Sequence, residues 1–321
     1  MSANAPGPRR RTQAASARGA GGGARPGQAR RKAPGAAQRP PRAGSVTTAP
    51  PPPEAPRTGG AHHHPWPTRQ KGPALAVAGA PLAISLFGVV LLVLGGAAIA
   101  PGAALVVAGL AIALISWRLG APSSIATRLG GERVDREREA RLVNLVEGLS
   151  VTAGLAVPEI RVIEDPARNL IVLGSQPSSV VLFCTRGLLE DLDRIELEGL
   201  LSHELAHIRR GDTGVAALAT RACGLLAGFS SGAPRLVVRL AGSTREAYAD
   251  FAGARITRYP PGLAAALTKL DAGPVRPAGI DRRTARLTAG LWCAPFEEAR
   301  PKTPVAGLLS LSERAAALNE L

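Results

Sequence analysis

From Gly72 to Trp117 the chain runs 46 residues without an acidic, basic or histidine side chain. Nothing else restricts the fold so strongly. One helical crossing of a bilayer takes about 20 apolar residues, so the run is too long for one span and suits two. Gly95-Gly96 and Pro101-Gly102 are turn signals near its middle, where a hairpin would reverse. Trp66 and Trp117 flank the run and suit interfacial positions. A buried helical hairpin in a soluble protein is the competing reading, and the length and lack of charge argue against it. Arg69 and Lys71 precede the run, Arg118 and Arg128 follow it, and the turn carries no charge. Positive flanks favour the cytoplasm, so a two-span hairpin puts both flanks inside, whereas a single span would divide them.

The flanking segments differ in composition. Residues 1–72 hold 13 Lys and Arg against one acid, Glu54, and so carry +12 of the net +15. They are rich in Pro, Gly, Ala and Ser, with too little apolar surface to offset ordering entropy, which predicts a disordered basic tail. The tail lacks the interleaved aromatics that stack on bases, so contact with anionic lipid is expected rather than nucleic-acid binding. The His62–His64 tract has no partner ligands nearby and reads as incidental. The apolar run begins too far along the chain for a signal peptide.

Beyond the run the charge is nearly balanced, with 26 basic and 23 acidic residues over 73–321, as in a folded domain. The expected organisation is a tail over 1–72, a hairpin over 73–117 and a domain over 118–321. Gly130–Ser150 starts highly charged, then places Leu142, Val143, Leu145, Val146 and Leu149 at helical spacing, which predicts an amphipathic helix opening the domain. Glu159–Ile163 and Ser179–Phe183 are β-branched runs bounded by Pro158, Pro166 and Pro177, which predicts strands. Ser179–Phe183 is either an ordinary core strand or an edge strand, where an extended peptide could pair by main-chain hydrogen bonds. Cys184, Cys223 and Cys293 are odd in number and widely spaced, and are expected as small core residues of a reduced protein.

Within Ser202–Asp212, SHELAHIRRGD, lies the pattern His203-Glu204-Leu205-Ala206-His207. Residues four apart share a helix face, so His203 and His207 can present two imidazoles to one zinc ion. Glu204 is placed to act as general base on a water in the open coordination position. A surface helix carrying two chance histidines is the bland alternative. It is weakened because the other three of the five histidines all lie in the 62–64 tract. Thr244–Ala254 reads as a helix with Glu246 and Asp250 on one face. By itself that is a solvated acidic face. In a chain with the histidine pair, Glu246 becomes the third ligand, and Asp250 a carboxylate that hydrogen-bonds a liganding imidazole and fixes its tautomer.

These residues carry a resemblance. HELAHIRRGD followed by the Glu246…Asp250 helix resembles the HtpX-like and CAAX-prenyl-protease-like membrane zinc metallopeptidases. Leu182–Leu192, Glu196–His203, Leu291–Pro295 and Ser312–Leu318 are similar to flanking segments of that family. The likeness runs from about Arg133 to Leu321. It implies a mainly α fold with a small β-sheet (α+β), a gluzincin-type domain behind a transmembrane hairpin. Three departures stand out. Asn169-Leu170-Ile171 lies where the family often has Asn-Ala-Phe. No histidine follows His207, although the family often has His-Pro before the segment matching Ser312–Leu318. Only residues 208–245, interrupted by Arg221, Arg235 and Arg239, separate the motif from Glu246, where HtpX has a second pair of spans.

The expected function is a membrane-anchored endopeptidase with one Zn²⁺ per chain, acting on protein or peptide substrates in membrane-protein quality control or processing. The alternative is an inactive metallopeptidase-like scaffold, which predicts decay of the zinc set. His203, Glu204, His207, Glu246 and Asp250 are all present.

Overall fold

The computed structural model describes residues 71–299 and 309–321. The tail, the histidine tract and Trp66 lie outside the described residues.

The apolar run forms two helices, α1 (Gly72–Leu94) and α2 (Ile99–Leu119), joined through Gly95 at φ 72° and a short turn at Gly96–Ala98. Pro101-Gly102 is not part of the reversal. Pro101 sits in the first turn of α2, where its missing N–H would have no helical partner in any case. Gly102 serves packing instead: a Cβ there would lie 2.8 Å from the Gly88 carbonyl oxygen of α1. Small residues thus let two backbones touch, as membrane helices do without a hydrophobic drive between them. Both helices are long and apolar enough to span a bilayer and keep most of their apolar surface outward. Leu86, for example, is 66% exposed.

The remaining elements are α3 (Pro122–Leu129), β1 (Glu132–Arg133), α4 (Ala140–Ala153), β2 (Glu159–Ile163), β3 (Leu170–Leu173), β4 (Val181–Thr185), α5 (Arg186–Asp191) and α6 (Arg194–Arg210). They continue with α7 (Asp212–Cys223), α8 (Leu226–Phe229), α9 (Ala233–Ala241), α10 (Arg245–Thr257), α11 (Pro260–Asp271), α12 (Arg282–Thr288) and α13 (Leu311–Asn319). The charged opening of the 130–150 stretch is not helical. Glu132 and Arg133 pair with Val162 and Arg161 of β2, and the amphipathic helix starts at Ala140.

The sheet order is β1-β2-β4-β3, with β2 and β4 parallel and the outer pairings antiparallel. The strand expected at Ser179–Phe183 is β4, starting at Val181, and it is interior. The edge beside α6 is β3, which the sequence reading did not identify. Alternate β3 residues enter two cores. Leu170 and Val172 join the core under α4, α6, α11 and α13. Ile171 and Leu173 join Trp292, Phe296 and residues of α7, α9 and α12. A strand buried on both faces shows no polar alternation. Helix α6 begins with a capping box, Asp193 and Glu196 exchanging hydrogen bonds with each other's backbone, and ends at Gly211 with φ 71°.

Candidate metal centre

Helix α6 carries His203, Glu204 and His207 into the interior, each 1% exposed or less. The imidazole rings stand at 90° with centroids 4.8 Å apart. Helix α10 packs across α6 and delivers Glu246 and Asp250. The crossing is close because Gly253 has no side chain: a Cβ there would lie 2.8 Å from the His203 nitrogen and 2.9 Å from its Cα.

Glu246 Oε2 is 3.3 Å from His203 Nε2, and Oε1 is 3.5 Å from His207 Nε2. Zinc–nitrogen and zinc–oxygen bonds of about 2.0–2.1 Å in a tetrahedron put neighbouring ligand atoms about 3.4 Å apart, so the spacing fits the ion. The Nε2 atoms of both histidines and both oxygens of Glu246 are buried without a hydrogen-bond partner among the described residues. Buried polar atoms that need partners and converge on one point fit a bound cation. His203, His207 and Glu246 form a group able to hold a metal ion.

The Nδ1 side of each ring is backed by a carboxylate. His203 Nδ1 lies 2.8 Å from Asp250 Oδ1, and His207 Nδ1 lies 3.3 Å from Asp212 Oδ2. Protonated Nδ1 atoms facing these carboxylates leave the Nε2 lone pairs free for a metal. Burial opposes ionisation of Asp212, yet the His207 hydrogen bond, with Arg245 and Arg210, holds its pKa down to about 2. In the sequence Asp212 is marked only as the last residue of the SHELAHIRRGD stretch. Its role beside His207 appears once the chain turns at Gly211.

Two arginines complete the shell. Arg314 of α13, buried, donates from Nε and Nη2 to the two oxygens of Asp250 at 2.7 and 2.8 Å, and from Nη1 to the Cys293 carbonyl at 2.8 Å. Arg245 Nε is 3.1 Å from Glu246 Oε1. Burial alone would raise the Glu246 pKa, but Arg245 and the two histidines hold it well below the usual carboxylate range. Glu204 differs. Burial pushes its pKa up, and neither carboxylate oxygen has a hydrogen-bond partner among the described residues. Helix α6 therefore carries a carboxylate biased towards taking a proton, near another on α10 that is held ionised.

The segment Leu291–Pro295 straps the edge of the sheet. Cys293 N–H donates to the Leu170 carbonyl at 3.1 Å, and Asn169 Nδ2 donates to the carbonyls of Val275 and Ala294, both at 2.8 Å. Asn169 thus fastens β3 to the strap. All three cysteines are free and buried. Cys293 also lies beside the site, grouped with His203 and Glu204, a position that spacing in the sequence does not reveal.

The sequence profile of Peptidase family M48 matches residues 136–300, half of the chain and all of the site except Arg314. This chain belongs to peptidase family M48. Among its curated relatives it is 36% identical over 195 residues to a "Protease HtpX homolog" of Tropheryma whipplei (strain Twist), covering 51% of this chain and 66% of that protein. It is 32% identical over 179 residues to the namesake of Dictyoglomus turgidum, covering 45% and 59%, and 31% identical over 190 residues to that of Salinibacter ruber, covering 51% and 69%. The match therefore spans less than two thirds of the first two relatives' own lengths. M48 metallopeptidases are zinc-dependent, His203, His207 and Glu246 form a group that could bind a metal, and the fold is mainly helical with a four-stranded sheet.

Proposed function

We propose that this M48 chain is a membrane-anchored zinc endopeptidase. The observation that carries the reading is the convergence of His203 Nε2, His207 Nε2 and the Glu246 carboxylate at 3.3 and 3.5 Å, beside a Glu204 carboxylate without a hydrogen-bond partner among the described residues. His203, His207 and Glu246 would hold one Zn²⁺ per chain, while Asp250 and Asp212 orient the two imidazoles. Bound zinc supplies Lewis acidity towards a peptide carbonyl and lowers the pKa of water. Glu204, its pKa raised by burial, takes the proton of the attacking water and returns it to the leaving amine.

Peptide binding would use β3 rather than the interior β4. Leu170 turns its carbonyl away from β4 to the strap, so by alternation Val172 is the next residue with its main chain facing outward. A substrate strand aligned there is held without demanding a particular sequence. The likeness to relatives named as proteases supports protein or peptide substrates, and quality control or processing at a membrane is the setting proposed for them. The hairpin α1–α2 would span the membrane with the tail and the 118–321 domain both cytoplasmic, and the tail would touch anionic lipid.

Metal analysis tests the assignment. His203→Ala, His207→Ala and Glu246→Ala each lose the zinc, whereas Asp250→Asn weakens it by about 10–100-fold. Full zinc occupancy in Glu246→Ala would remove Glu246 from the ligand set.

A further inference from the structure

Outside the metal site, an exposed apolar pair lies on α8, where Phe229 is 79% and Leu226 40% exposed. The two are three residues apart and share one face of the helical turn. Their position in the fold is the informative part. Helix α7 lies against the end of the hairpin, contacting both α1 and α2. Ser116 Oγ of α2 donates to the carbonyls of Arg221 and Ala222 at 2.8 and 3.2 Å and accepts from the Leu225 N–H at 3.3 Å. Thr220 Oγ1 donates to the Gly120 carbonyl at 2.8 Å. Glycines make the contact possible: a Cβ on Gly224 would lie 2.1 Å from the Ser116 carbonyl oxygen. The guanidinium of Arg221 covers the ring of Trp117 at 4.5 Å, a pairing suited to the headgroup level. Helix α8 starts within a few residues of this pinned junction, so Leu226 and Phe229 lie beside the end of the long apolar helix α2.

The charge around them is mainly positive, with Asp281 at the start of α12 as an acidic exception. From Thr213 to Arg245 there is no acidic residue. Arg235 and Arg239 are exposed on α9, whose apolar face is buried, and α8, α9 and α12 pack on one another. Helix α12 adds Arg282, also exposed, and Arg286, which donates to the Ala227 carbonyl at 3.1 Å.

We propose that the α8–α9 surface is a third membrane contact, with Leu226 and Phe229 inserted into the interface and the neighbouring arginines on anionic headgroups. This depends on α1–α2 being a membrane hairpin. An amphipathic surface of this composition, apolar side chains beside arginines, lies in the interfacial plane without crossing the membrane. Continuity with the hairpin chooses the same bilayer over a protein partner. The consequence is that the domain is held to the membrane by its α7–α9 side as well as through the covalent link. Asp212, which contacts His207, opens α7, and Thr220, at the hairpin, lies eight residues on, about 12 Å at helical rise.

Depth-dependent quenching of the full chain in nanodiscs of phosphatidylcholine, with or without phosphatidylglycerol, tests this. The three native cysteines are buried, so single cysteines at Leu86, Ser231 and Val151 can be labelled with a fluorophore. Nitroxide placed deep in the acyl chain should quench the label at Leu86. Nitroxide near the headgroup should quench the label at Ser231 but not that at Val151, which is 80% exposed on α4. Phosphatidylglycerol should increase quenching at Ser231, and Phe229→Glu should remove it. If Leu86 is quenched while Ser231 responds no more than Val151, the proposal fails and the hairpin stands. Quenching at Ser231 that survives Phe229→Glu also overturns it, because Phe229 then does not anchor the surface. An unquenched label at Leu86 overturns the hairpin and the proposal together.

Discussion

Arg314→Met removes the buried cation that holds Asp250. In the folded protein the guanidinium makes a two-pronged pair with Asp250 at 2.7 and 2.8 Å, and both residues are almost fully buried. Breaking a buried pair by deleting one partner typically costs about 3–5 kcal/mol, because the other charge is left uncompensated. For a domain of this size each kcal/mol shifts Tm by about 2–4 °C, so the variant should melt about 6–20 °C lower. Adding Asp250→Asn removes the stranded charge, so the double variant should lose less than the sum of the single losses. The pH dependence has a definite sign. Burial raises the Asp250 pKa, but Arg314 and His203 lower it below the ordinary value, so the carboxylate contributes stability above the ordinary Asp range and loses it as pH falls through the folded value. Without Arg314 the buried carboxyl takes a proton more readily, and the gap between variant and wild type should narrow on acidification. Thermal unfolding of detergent-solubilised protein, followed by circular dichroism at several pH values, measures all of this. A Tm within about 2 °C of wild type at neutral pH, or strictly additive losses, would refute the reasoning.

Two further expectations follow from packing and topology. Gly253→Ala places a methyl group against the His203 backbone, with overpacking of about 1–3 kcal/mol, and should lower zinc affinity in a chelator competition about tenfold or more. Gly148→Ala on α4 meets nothing within 4 Å and should leave zinc unchanged. A cysteine at Val151 should resist an impermeant thiol reagent in intact cells and react once the membrane is opened. Reaction in intact cells would reverse the proposed orientation.

The parts of this protein that could be read from the sequence are those whose pattern is local. An uncharged run, a histidine pair four apart and an acidic pair four apart each declare themselves within a few helical turns. Arg314 escapes because its partner Asp250 lies on another helix, and a single arginine in SERAAAL has no periodicity to mark it. Asp212 stands in the sequence only as the last residue of SHELAHIRRGD, and the positive φ at Gly211 is what turns it back onto His207. The sheet was harder still. Strand β3 is apolar at every position because both of its faces are buried, so it shows no alternation, and of the two roles open to Ser179–Phe183 the core one holds while β3 takes the edge. The charged start of the 130–150 stretch pairs with β2 because a two-residue edge strand needs no apolar face. Cys293, equally, is brought to His203 by the strap across β3 and not by any spacing to the motif.

The most direct test of the peptidase assignment is Glu204→Gln, assayed for bound zinc and for cleavage of an unfolded protein substrate on the same preparation. Glutamine keeps the shape of the side chain but cannot accept the water's proton, and Glu204 is not among the atoms that converge on the metal position at 3.3 and 3.5 Å. The variant should therefore retain one zinc per chain and lose hydrolysis. Cleavage at the wild-type rate with zinc in place would contradict the account.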